Sequence, residues 1–119
     1  MIFGSQKLYL AVDQPMTADF TSVPMEIDGF DCGSMVINWT GASAFNSVFI
    51  PQFSNDGICW CDYVAESDAQ KASSAAGCKM YEFSTFCFDK LRLKYLHKTV
   101  IAGNMSVLVY AKRFWGRNQ

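Results

Sequence analysis

The sequence predicts an all-β fold of about eight short antiparallel strands, and three features carry that expectation. Apolar residues alternate with others at a period of two in several separate segments. Turn signals recur at intervals of roughly 8–14 residues, which favours an antiparallel sandwich or barrel over parallel strands joined by helices. The chain has 119 residues, half of them apolar and 15% aromatic. That is enough for one hydrophobic core and too little for two. The same composition excludes wholesale disorder and collagen-like repetition, and no apolar run approaches the roughly 20 residues of a membrane-spanning helix.

Residues 7–12, 20–23 and 25–30 are the earliest strand candidates. The clearest alternation follows, with Met35, Ile37 and Trp39 on one side and Val36 and Asn38 on the other. Residues 48–53 are β-branched and aromatic, but Pro51 removes a backbone donor and points to an edge position or a bulge. Ser54, Asn55, Asp56 and Gly57 form a reversal, because short polar side chains and a Gly backbone accommodate a sharp turn. Residues 60–64 resume the sheet. The small-residue stretch 66–77 reads as a surface loop, with room for a short helix over 68–76 that Gly77 would end.

Residues 79–88 return to alternation, with Tyr81 and Phe83 opposite Met80 and Glu82. Leu91, Leu93 and Tyr95 then face one way while Arg92, Lys94 and Leu96 face the other. The turn Ala102-Gly103-Asn104 leads into a last strand over 105–111, with Met105, Val107 and Val109 opposite Ser106, Leu108 and Tyr110. Residues 1–113 form the expected single domain and 114–119 an exposed tail.

The net charge of −1 hides a division along the chain. Residues 1–68 carry −8 and residues 69–119 carry +7. If each half supplied one face, the monomer would be bipolar and copies would attract head to tail. Strands that interleave would instead mix the charges. Five cysteines, an odd number, cannot all pair within one chain, and the first twelve residues show no secretion signal, so reduced thiols are the expectation.

The succession of residues 33–39 (Gly-Ser-Met-Val-Ile-Asn-Trp), 53–60 (Phe-Ser-Asn-Asp-Gly-Ile-Cys-Trp) and 90–95 (Lys-Leu-Arg-Leu-Lys-Tyr), then a Gly-Asn turn and closing strand, resembles small β-sandwich domains of bacteriophage virion and tail proteins. It is also similar to discoidin-like or galactose-binding jelly rolls, and the likeness spans residues 33–111. Cys59-Trp60-Cys61 departs from the polar neighbours usual in that pattern. The resemblance implies a jelly-roll-like antiparallel β-sandwich serving as a structural part of a phage particle. A capsid decoration, adaptor or tail-associated subunit fits, assembled in the host cytoplasm, located in the virion and acting through repeated contacts with its own copies and other virion proteins. It implies no enzymatic chemistry and no cofactor.

Residue by residue, contact chemistry is also the better expectation. Arg113, Phe114, Trp115 and Arg117 form a basic and aromatic terminal segment suited to docking on a neighbouring copy. Lone His97 lacks a recognisable nucleophile motif and reads as a solvent-facing side chain beside Lys98. Cys32, Cys59, Cys61, Cys78, Cys87 and His97 lack the paired spacing of a zinc ribbon, so Cys59 and Cys61 read as packed core thiols rather than metal ligands. Asp13, Asp19, Glu26, Asp28 and Asp31 read as solvated turn positions rather than a carboxylate pair or calcium site.

An alternative function is glycan binding by exposed aromatics, drawn from Trp39, Trp60, Trp115, Tyr63, Tyr81 and Tyr110. Trp39 and Trp60 sit within apolar alternation and read as core, which leaves Trp115 as the exposed candidate. Lys90, Arg92, Lys94, Lys98, Lys112, Arg113 and Arg117 raise nucleic acid, but the sequence pI of about 5.7 and the lack of a binding motif disfavour it. An exposed strand face, or an edge defended by Lys, accounts for these cations more economically.

Overall fold

The computed structural model describes residues 2–114. It comprises ten strands: β1 (Ile2–Pro15), β2 (Phe20–Thr21), β3 (Met25–Glu26), β4 (Cys32–Thr40), β5 (Val48–Ser54), β6 (Cys61–Asp62), β7 (Gln70–Lys71), β8 (Gly77–Phe83), β9 (Lys90–Leu96) and β10 (Asn104–Phe114). All pairings are antiparallel. One sheet has the order β1-β10-β4-β8; the other runs β2-β9-β5-β6, with β3 also on β9 and β7 also on β5.

Taken as chain passes, β2 with β3 and β6 with β7 are two interrupted strands, and eight passes remain. Pass one then pairs with eight, two with seven, three with six and four with five. That nesting is what a long hairpin makes when it rolls up, the jelly-roll arrangement. The β2/β3 interruption falls at Ser22-Val23-Pro24, where Pro24 has no N–H to donate and the buried Ser22 hydroxyl accepts the Leu93 N–H at 2.9 Å.

The core lies between the sheets and follows the alternation. Met35, Ile37 and Trp39 from β4, Leu91, Leu93 and Tyr95 from β9, and Met105, Val107 and Val109 from β10 are all buried. Phe49 sits between the Trp39 and Tyr95 rings, 5.5 Å from each centroid. The polar tips of the buried aromatics are satisfied by backbone: Trp39 Nε1 donates to Ser74 O at 2.8 Å, Tyr95 Oη to Met16 O at 3.0 Å and Tyr81 Oη to Phe49 O at 2.8 Å. Burial pushes both tyrosine hydroxyls above their ordinary pKa.

Three expectations need correction. β5 is not an edge strand; it lies inside its sheet between β9 and the β6/β7 pass. Tyr63 N–H donates to Pro51 O at 2.8 Å, so the nitrogen of Pro51, on the same side as its carbonyl, faces the break between β6 and β7. No ladder donor is needed there, which is why proline is tolerated. Residues 68–76 form no α-helix: a single 3-10 turn spans Glu66–Asp68, and Ala69 and Ala72 are buried on either side of β7. Residues 60–64 contribute only the two residues of β6.

The charged halves also do not form separate faces. In the β1-β10-β4-β8 sheet, strands from the acidic and basic halves alternate one for one. The halves meet instead in the ion pairs of Glu26 with Lys90 at 3.0 Å and Glu66 with Lys98, and in the hydrogen bond between Asp19 and His97 at 2.6 Å. The two halves therefore do not supply separate faces.

Candidate interaction surface

The outer faces of the two sheets are built differently. On β5 the outward residues Val48 and Ile50 are buried, because Val64 and Ala69 from the segment between β6 and β7 pack over them, with Leu96 of β9 alongside. Further along, Gln52 is held between Asp62, whose Oδ1 accepts its Nε2–H at 2.7 Å, and Arg92, whose Nε–H donates to its Oε1 at 2.8 Å. The Arg92 guanidinium lies 4.0 Å from the Trp60 ring centroid, a cation–π contact. The chain thus covers much of this face itself.

The outer face of the β1-β10-β4-β8 sheet has no such cover among the described residues. Strand register aligns Tyr9, Leu108, Val36 and Met80 in one row across all four strands. Tyr9 is 56% and Met80 46% exposed at the ends of the row, with Leu108 and Val36 half-buried between them. The next row reads Lys7, Tyr110, Ser34, Glu82. The Tyr110 ring lies between two cations, 5.6 Å from Lys7 Nζ and 5.7 Å from Lys112 Nζ. Small Ser34 lies in an open depression of about 560 Å³, rimmed by Met80, Glu82, Tyr110 and Lys112.

Arg113 and Phe114 end β10 beside this face. The Phe114 N–H donates to Asp31 Oδ2 at 2.8 Å, and the Asp31 N–H donates to Lys112 O at 2.7 Å, so Asp31 anchors the end of β10. Arg113 lies against Gly4, where an added Cβ would come within 3.1 Å of its Nη2, and 5.9 Å from the Phe30 ring. Both residues are exposed. Trp115 and Arg117 lie outside the described residues.

The other sequence candidates are dispersed. Cys59 and Cys61 are exposed, not core thiols, because their segment is a surface turn and a two-residue strand rather than a regular inward-facing strand. All five cysteines are free. Trp60 is likewise on the surface under Arg92, while Trp39 is core as expected. The turn at 54–57 is held by its own side chains: Asp56 Oδ1 accepts the N–H groups of Ile58 at 2.8 Å and Cys59 at 2.9 Å, and Ser54 Oγ accepts that of Gly57 at 2.8 Å. Those donors, Ile58 first, hold the Asp56 carboxyl below its ordinary pKa.

His97 is tied to Asp19, whose Oδ1 also accepts the His97 backbone N–H at 3.0 Å, and this backbone bond leads in lowering the Asp19 pKa. Asp19, Glu26 and Asp31 are therefore partnered positions rather than merely solvated turns. Lys90, Arg92 and Lys94 project outward from β9, which is an interior strand, so they mark a strand face and not a defended edge. Sequence reasoning missed the Tyr9–Leu108–Val36–Met80 row. The signal was present, since Val36 and Leu108 are apolar at outward positions, but only strand register brings them together.

Among the described residues, fold and surface together define a jelly-roll-like sandwich with one self-covered face and one open face. No family model matches the chain, and no curated protein matches it. Among solved structures it is similar to the SPBc2 prophage-derived protein YomS, at a TM-score of 0.50 and 11% sequence identity, over 94% of this chain and 97% of that one. At this identity the likeness establishes a shared all-β fold over nearly the whole of both chains.

Proposed function

We propose that the protein is a non-enzymatic structural component of a phage particle, acting through protein–protein contacts as a capsid decoration, adaptor or tail-associated subunit. The observation that carries this reading is the end-to-end correspondence with a prophage-derived protein, with almost no part of either chain left over. The surface supports the same class of work, because its open features are a sheet face and a terminal segment suited to burial against another protein.

The proposed terminal contact is Arg113, Phe114, Trp115 and Arg117, of which Phe114 is held at the end of β10 by the bond from its N–H to Asp31. Truncation after Lys112 is expected to abolish assembly while the far-UV β signal is retained; unchanged assembly overturns a role for this segment. The phage reading is tested by electron microscopy of the parent particle, with density for the jelly roll expected at a repeated position. Its absence from purified particles contradicts the reading, and specific retention on a glycan array with no particle association would favour the carbohydrate alternative.

A further inference from the structure

We propose that the outer face of the β1-β10-β4-β8 sheet is a self-complementary interface whose occupant is the same face of a second copy, related by a two-fold axis parallel to the strands and midway between β10 and β4. This deepens the proposed function by naming a partner and a surface, but it rests on the surface chemistry and not on the phage reading.

Such an axis maps the sheet order β1-β10-β4-β8 onto its reverse, so β1 faces β8 of the other copy and β10 faces β4. Residues keep their row. In the apolar row, Tyr9 then meets Met80 and Leu108 meets Val36, so apolar surface covers apolar surface along the whole width of the sheet. Tyr and Met at the ends supply an aromatic ring and an adaptable thioether, a favourable pair at a protein contact.

The neighbouring row decides the register by charge. Lys7 stands on the β1 edge and Glu82 on the β8 edge of the same row, Lys7↔Tyr110↔Ser34↔Glu82. Reversing the strand order places Lys7 of each copy opposite Glu82 of the other, giving two symmetric pairs of opposite sign. Stacked sheets lie about 10 Å apart and cross at about 30°, an offset that Lys and Glu side chains are long enough to span. In the same row Tyr110 faces Ser34, where the open depression lies. Each ring therefore has a recess to enter on the other copy.

The size sets the strength. Four strands at about 4.8 Å spacing and seven residues at about 3.4 Å rise give a footprint of roughly 450 Å² per copy before side-chain relief is counted. That lies at the low end of specific interfaces, and the expected dimer is accordingly weak, forming in the micromolar range.

The test is sedimentation of the full chain across a concentration series, with melting curves to show that each variant is folded. Leu108→Lys, which changes an outward side chain and leaves the core intact, is expected to raise the dimer dissociation constant about a hundredfold, since each interface contains two copies of it. Lys7→Glu and Glu82→Lys are each expected to weaken the dimer about tenfold, and the double reversal Lys7→Glu/Glu82→Lys to restore it to within about threefold of the original. Restoration establishes the pairing. A folded double reversal no stronger than the single variants overturns the proposed axis, and a wild-type chain that stays monomeric to millimolar concentration overturns the interface. Neither result depends on whether the protein is found in a particle, which tests the phage reading separately.

Discussion

The two sheets share one alternation rule and end with opposite surfaces. On the β9–β5 sheet, outward Val48 and Ile50 are buried because the chain between β6 and β7 folds back over them, bringing Val64 and Ala69. On the β1-β10-β4-β8 sheet, outward Val36 and Leu108 meet no comparable segment among the described residues and form the middle of an open apolar row. The same residue types at equivalent outward positions are thus covered in one sheet and open, among the described residues, in the other. What separates them is the connection: the pass formed by β6 and β7 is interrupted by residues 63–69, and those residues become a lid on their own sheet.

The sharpest way to break this comparison is a pair of truncations. Ile50→Ala, at 1% exposure on the covered face, is expected to cost about 2–4 kcal/mol of unfolding free energy. Leu108→Ala on the open face is expected to cost less than about 1 kcal/mol in the monomer. Denaturant titration of both variants checks the difference, and equal losses would mean that the two faces are equally covered.

Smaller effects sharpen it. Gln52→Leu leaves Asp62 and Arg92 without their shared partner, and an expected loss of about 1–2 kcal/mol is readable in the same titration. Asp56→Ala removes the acceptor of the Ile58 and Cys59 N–H groups and is expected to lower Tm by a few degrees. Because the folded-state pKa of Asp56 lies below its unfolded value, its contribution is complete above the ordinary Asp range and is lost as pH falls through the folded value. The gap in Tm between wild type and Asp56→Ala should therefore close under acid. The smallest effect concerns thiols: Cys59, Cys61, Cys78 and Cys87 are expected to react with a thiol reagent in the folded protein, Cys32 more slowly, with little change in stability.

Much of the fold was legible because alternation reports burial directly. The period alone groups each of the buried triplets of β4, β9 and β10 on one face of its strand, and Ser, Asp and Gly mark the turn at 54–57. Pro51 misled because a missing donor excludes a strand centre only if a partner carbonyl stands opposite, and here the partner pass is broken at that point. Buried Ala69 and Ala72 were missed because alanine in a polar stretch carries too little hydropathy to announce a packed face. Cys59 and Cys61 depart from the core expectation because their segment is a surface turn and a two-residue strand. The open face was invisible for a different reason: each of its rows draws on four distant stretches, and register, not local pattern, assembles them.

The most direct measurement of the open face is oxidative footprinting of the full chain as a function of its concentration, read at Met80 and Tyr9 and compared with the loop residue Ile58. Protection of Met80 and Tyr9 that grows with concentration, while Ile58 stays fully reactive, is the expected result. Constant reactivity of Met80 and Tyr9 under conditions where the protein associates would place the contacts elsewhere and contradict a working role for this face.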